Sequence, residues 1–164
     1  MIRVTVWNEF QHERTQEKVK EIYPDGIHAC IAKFLGKEED FSVRTAVFDE
    51  EEHGLTEEVL ANTDVLVFWN HMLQEEFSDD VVFTGWFAGG EVFRSGCTFT
   101  RGLGKIFYFQ PGHEEYPIYH MPLIQQIIKN GVRWCVPVVR RPAPLDNAWV
   151  NPSTEEVYLS SHEK

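Results

Sequence analysis

Apolar positions in the opening stretch of the chain alternate between strand-like runs and helical stripes. Ile2-Arg3-Val4-Thr5-Val6-Trp7 predicts a first strand. His12 to Tyr23 is a polar helical stretch with apolar residues only at Val19 and Ile22, and Pro24-Asp25-Gly26 breaks it. Ile27, Cys30, Ile31, Phe34 and Leu35 fall at i, i+3, i+4, i+7 and i+8, the stripe of a helix laid on a sheet. Asp25 is placed to cap that helix and Gly36 to end it. Phe41 to Phe48 predicts a second strand, closed by the acidic turn Asp49-Glu50-Glu51-Glu52, and a short helix is expected around Thr56 to Leu60. Val65-Leu66-Val67-Phe68-Trp69 is apolar throughout, which predicts a central strand covered on both faces. The order β-α-β-α-β opens a doubly wound parallel sheet.

The pattern then changes. Met72 to Val82 begins like a helix but runs at once into Val82-Phe83-Thr84-Gly85-Trp86-Phe87. A doubly wound sheet would place another crossover unit of about 30 residues there, so the middle of the chain is short. Val92 to Thr100 and Lys105 to Gln110 flank Arg101-Gly102-Leu103-Gly104, the signature of an antiparallel hairpin. Pro122 to Trp134 predicts a helix with Leu123, Ile124, Ile127, Ile128 and Trp134 on one side and Pro122 in its first turn. From Val136 onward, Pro137, Pro142, Pro144 and Pro152 predict an extended or partly disordered tail.

Each of three strand-like runs leads into a polar cluster: Trp7-Asn8-Glu9 with His12, Trp69-Asn70-His71, and Gln110-Pro111-Gly112-His113-Glu114-Glu115. Ligands of open α/β sheets bind beyond the carboxyl ends of the strands, so neighbouring strands would gather these residues in one pocket. His113 beside Glu114 is suited to general acid or base work, with Glu114 as its orienter and His71 and Glu9 as further catalytic candidates. Trp7, Trp69 and Tyr116 offer flat faces to a sugar ring, and Asn8, Asn70 and Gln110 offer partners for its hydroxyls, alongside His12. Arg94 and Arg101 in the hairpin are placed either to orient an anionic or carbonyl group or to pair with the many carboxylates. The alternative chemistry is a zinc-type site built from His12, His71 and His113 with Glu9 or Glu114 as oxygen donor. The alternative to both is structural, with the tryptophans in the core and Asn8 and Asn70 ending strands.

Composition narrows the partners. The 164 residues fit one domain able to bury a core, and 43% hydrophobic with 25% charged content is that of a globular protein. A formal net charge of −11 excludes the basic face of a duplex nucleic-acid binder, which favours a neutral ligand or one bound through a metal. Cys30, Cys97 and Cys135 are isolated and odd in number, so neither a disulfide framework nor a thiolate zinc site is expected. The chain opens on a strand rather than a signal peptide, and its longest apolar run is too short to span a bilayer. These features predict a soluble, cytoplasmic protein with no membrane partner.

With these residues on the page, the chain resembles the ThuA-like (trehalose utilisation) family. The resemblance rests on Thr5-Val6-Trp7-Asn8-Glu9 with His12-Glu13, and on Val67-Phe68-Trp69-Asn70-His71. It rests most on one long block: Gly89-Gly90-Glu91-Val92-Phe93-Arg94-Ser95-Gly96-Cys97, Arg101 to Phe109, and Pro111-Gly112-His113-Glu114 with Tyr116-Pro117. The helix leading into Gly131-Val132-Arg133-Trp134 fits as well. The resemblance implies a class I glutamine amidotransferase-like fold. The expected architecture is thus a flavodoxin-like, doubly wound, mostly parallel α/β sheet with an antiparallel hairpin, truncated in the middle.

The resemblance also implies a departure, because complete members carry a central section where this chain is joined near Val81-Val82. The expected organisation is one domain over residues 1–135, with that junction near 81–83, and a Pro-rich tail over 136–164. The implied activity is on trehalose, related disaccharides or their 3-keto forms, as a hydrolase or as a lyase or isomerase. His113 and Glu115 stand in the H-x-E spacing of amidotransferases, yet no cysteine falls in a nucleophile elbow, so glutaminase activity is not expected. The competing readings are a non-catalytic sugar-binding or degenerate member and a metal-dependent hydrolase. A strand edge left open by the short middle predicts self-association into a homo-oligomer.

Overall fold

The computed structural model describes residues 1–69, 80–86 and 88–139. The elements follow in the order β1 (Ile2–Asn8), α1 (His12–Thr15), α2 (Glu17–Ile22), α3 (Ile27–Leu35), β2 (Phe41–Val47), a 3₁₀ turn at Glu51–Gly54, α4 (Glu57–Ala61) and β3 (Val65–Trp69). Then come β4 (Asp80–Trp86), β5 (Val92–Arg101), β6 (Gly104–Phe109), a 3₁₀ turn at Ile118–His120 and α5 (Pro122–Cys135). The predicted tail from residue 140 lies outside the described residues. No helix among the described residues is long and apolar enough to cross a membrane.

Among the described residues two sheets form instead of one. β1 lies between β2 and β3, all parallel, with Val4 opposite both Val43 and Val65. β4, β5 and β6 make a separate antiparallel sheet, in which the predicted hairpin joins Arg101 to Gly104. Gly102, at φ +59°, supplies the left-handed first position that such a tight turn requires. The architecture is mixed α/β with a parallel sheet and an antiparallel one. The core is Val4, Val6, Ile27, Ile31, Phe34, Leu35, Phe41 and Val65, sealed by Tyr23, Ile118, Tyr119 and Val132. It lies where α3 and α5 pack on the parallel sheet, the stripe read from Ile27 to Leu35.

Four local expectations are corrected. β3 is not a doubly covered central strand. Val65 is buried, but Leu66 and Phe68 are 39% and 46% exposed, and among the described residues β3 pairs with β1 alone. Among the described residues the parallel sheet ends at β3, and β4, β5 and β6 form their own sheet. The stretch His12 to Tyr23 is two helices, broken where Gln16 is extended (φ −115°, ψ 111°). Only Val19 of α2 and Glu13 of α1 are buried, too narrow a stripe to hold one long helix against the core.

Asp25 does not cap α3 either. The N-cap is Gly26 at φ +92°, and the Ile27 amide donates to Glu13 Oε1 at 2.9 Å. Finally, His28, which sequence alone assigns to a helix or loop surface, is drawn partly inside. It is half-buried, edge-on to Phe10, and its Nδ1 accepts from Asn8 Nδ2 at 3.1 Å. Burial holds its imidazole pKa below the usual value.

Candidate functional site

The carboxyl ends of β3 and β6 open on a shared cavity of about 300 Å³. Val65 to Trp69 line one wall and Phe107 to Glu114 the other, while Ile128, Gly131 and Val132 of α5 form the floor. Most of the lining is aliphatic and aromatic. The end beyond the two strands, its mouth, runs from Trp69 and Tyr119 to Gln110, His113 and Glu114 and is polar.

Glu114 is the focus of that mouth. Its side chain is 4% exposed, with Oε1 2.7 Å from His12 Nδ1 and Oε2 3.5 Å from His113 Nδ1. A carboxylate so far out of water needs donors on its oxygens, and an imidazole N–H at 2.7 Å is a strong one. His12 reaches it from α1, so residues far apart in sequence close the same site. Nδ1 of His113 also lies 3.3 Å from the Glu115 amide, which can donate to it.

Trp69 is tied to this wall by its indole N–H, which donates to Tyr119 Oη at 2.7 Å. Tyr119 is in turn linked to Tyr23, whose Oη accepts the Tyr119 amide at 3.3 Å and donates to the Tyr116 carbonyl at 2.7 Å. Burial pushes both phenols up, that of Tyr23 to about 12. Sequence pattern did not single out Tyr23 or Tyr119. They sit in irregular segments beside prolines, where no periodicity marks a buried side chain.

The other candidates scatter. Gln110 lines the cavity, with Oε1 accepting from Tyr108 Oη at 3.3 Å. Trp7 does not line it: 5% exposed, its ring stacks on Phe68 at 4.3 Å and its Nε1–H donates to the His53 carbonyl at 2.8 Å. Asn8 is fully buried and spent on structure, donating to Glu13 Oε1 at 2.6 Å and accepting the Phe10 amide at 2.9 Å.

Glu9 follows β1, half-buried and away from the cavity lining. Arg94 is exposed on β5, opposite Thr84, and Tyr116 is 60% exposed beneath Lys18, whose ammonium lies 5.3 Å from the ring centre. Asn70, His71 and the Arg101 side chain lie outside the described part of the structure. Among the described residues no group of three or more His, Cys, Asp and Glu is arranged to hold a metal ion. The proposed zinc ligand set includes His71.

Residues 86–135 match a family model described as ThuA, trehalose utilisation. Over these residues the chain is ThuA-like. The ThuA-like stretch starts at the end of β4 and carries β5, β6, the His113–Glu114 loop and α5, so it supplies one wall, the floor and the focal carboxylate of the cavity. His12, Trp69 and the parallel sheet come from the residues before it. No curated protein matches the chain.

Proposed function

We propose that this ThuA-like chain serves disaccharide utilisation by binding a neutral sugar or keto-sugar at the polar mouth of the β3–β6 cavity and acting on it there. The observation that carries this reading is Glu114, a buried carboxylate at a cavity wall with one imidazole at 2.7 Å and a second at 3.5 Å. In this reading His113 is the general acid or base and Glu114 its orienter. Trp69 and Gln110 contact substrate, and His71, outside the described residues, remains a second candidate for proton transfer; Glu9, away from the lining, does not. The described lining holds no Lys or Arg, so nothing in it favours a phosphorylated or carboxylated ligand. Localisation in the cytoplasm belongs to the same reading.

The test is a thermal melt of the purified chain alone, with trehalose, with 3-keto-trehalose and with zinc, followed by turnover assays. A ligand at a hundredfold excess over its dissociation constant adds about 2.7 kcal/mol of stability. The expected result is a shift with the keto-sugar and turnover that His113→Ala abolishes without unfolding the protein. A sugar shift without turnover, unchanged by His113→Ala, replaces the enzyme with a binding module. A shift with zinc alone, and activity lost to chelator, replaces it with a metal-dependent hydrolase.

A further inference from the structure

Two buried tyrosines support the polar mouth, and their hydroxyls are used differently. Tyr23 Oη accepts the Tyr119 amide at 3.3 Å and donates to the Tyr116 carbonyl at 2.7 Å, so both of its hydrogen-bonding functions are met. Tyr119 Oη accepts the indole N–H of Trp69 at 2.7 Å, and an indole nitrogen only donates. That bond leaves the phenolic proton of Tyr119 unused, and among the described residues no group accepts it. Tyr119 is 6% exposed, and a buried donor without an acceptor is uncommon enough to need a reason. The backbone of Tyr119 is bonded to groups off the cavity. Its carbonyl accepts from Gln125 Nε2 at 2.9 Å and its amide donates to Tyr23, and neither partner is in the lining. Trp69, at the far end of the ring, lines the cavity together with Tyr119, so the hydroxyl end is the part that the cavity meets.

We propose that the Tyr119 hydroxyl is the cavity's hydrogen-bond donor to a carbonyl oxygen of the ligand. Accepting from Trp69 polarises the O–H bond and strengthens it as a donor. Burial holds the phenol pKa well above its ordinary value, so at working pH the group donates and does not act as a base. The buried carboxylate of Glu114 shares the wall and sets the site against an anionic acceptor. A carbonyl also suits the apolar remainder of the wall, Val67, Phe107, Phe109 and Ile128, better than a hydroxyl does. A hydroxyl brings a proton that needs a partner of its own there, and a carbonyl brings none. For the identity of the ligand this rests on the keto-sugar reading given above, in which Tyr119 then holds the keto oxygen beside Trp69. The donor itself is testable without a sugar.

Cyclohexanone and methylenecyclohexane are ring-sized probes of nearly equal shape that differ in the carbonyl oxygen. Their affinities are measured by ligand-observed NMR on the full chain and on Tyr119→Phe. The ratio of ketone to alkene affinity is expected to fall about fivefold or more in the variant, the ordinary worth of one hydrogen bond. A role confined to holding Trp69 in place weakens both probes alike, so an unchanged ratio overturns the proposal. A ratio that falls in Gln110→Leu instead assigns the donor to Gln110 and overturns it too. On the parent alone, the carbonyl stretch of bound cyclohexanone is expected at lower frequency than in hexane. An unshifted band, or no binding of cyclohexanone, overturns the proposal without recourse to a variant. Repeating the comparison with 3-keto-trehalose separates the two readings. A lost cyclohexanone ratio with no keto-sugar binding supports the donor and removes the sugar. Keto-sugar binding that Tyr119→Phe leaves undiminished keeps the sugar and overturns the donor.

Discussion

Glu13 offers the sharpest test of how this fold is held. The side chain is 2% exposed and points from one-turn α1 into the core, where Oε1 accepts from Asn8 Nδ2 at 2.6 Å and from the Ile27 amide at 2.9 Å. It thereby caps α3 from a distance and pins α1, the helix that carries His12, against the sheet. Its second oxygen, Oε2, is buried without a hydrogen-bond partner among the described residues.

In Glu13→Ala, losing the cap costs about 1 kcal/mol. Leaving Asn8 Nδ2 with only its His28 bond costs about 1 kcal/mol. The lost methylenes cost about 1.6 kcal/mol. Removing the unsatisfied oxygen returns about 1–2 kcal/mol. The expected net loss is about 2 kcal/mol, or a fall in Tm of about 4–8 °C. Glu13→Gln keeps the accepting oxygen and is expected to cost less than Ala. Urea unfolding read at constant m reports the difference, and exchange at the Ile27–Cys30 amides reports the cap. A Glu13→Ala protein within 0.5 kcal/mol of the parent, or a Gln variant worse than Ala, refutes the account.

Other tests follow from the same contacts. Tyr23 has a folded-state pKa of about 12, above the value of 10 for a free phenol. The neutral form is favoured by folding, so its contribution is complete below pH 10 and is lost as pH rises from 10 to 12. Tyr23→Phe is expected to lower stability at neutral pH yet flatten the alkaline arm of a stability–pH curve; an unchanged arm would count against it. On the acid side, Lys129 at 2.8 Å and Arg133 at 2.7 Å hold the Glu38 carboxyl below its ordinary range, and Arg133, donating at 2.9–3.0 Å, does the same for Asp40. That contribution is present above the ordinary values of 4.5 and 3.8 and is lost as pH falls through the depressed ones, so Arg133→Ala should weaken the acid dependence of Tm, with the Lys129 share of Glu38 remaining. In α5, a Cβ at Gly131 would run into the Phe107 ring of β6. Gly131→Ala is therefore expected to destabilise by about 1–3 kcal/mol in urea, against a helix-propensity gain of about 1 kcal/mol.

Much of the fold was legible in local pattern. The stripe from Ile27 to Leu35 became α3, the hairpin turn fell at Gly102-Leu103, and Pro122 opened α5. Periodicity reports which face of an element is apolar, and those elements needed nothing more. β3 misled because an all-apolar run says that neighbours are wanted on both faces but not whether they arrive; only assembly left Leu66 and Phe68 exposed.

The site divides in the same way. The loop from Gln110 to Glu114 announced itself by composition, and the resemblance of the surrounding block agreed with the ThuA match over residues 86–135. That Glu114 would meet His12, 102 positions away, while Trp7 and Asn8 turned into structural contacts, was a matter of tertiary packing. Residue types and spacing determine which chemistry a chain can offer. Which of those groups share one pocket depends on burial and on long-range contacts, and only the folded chain supplies these.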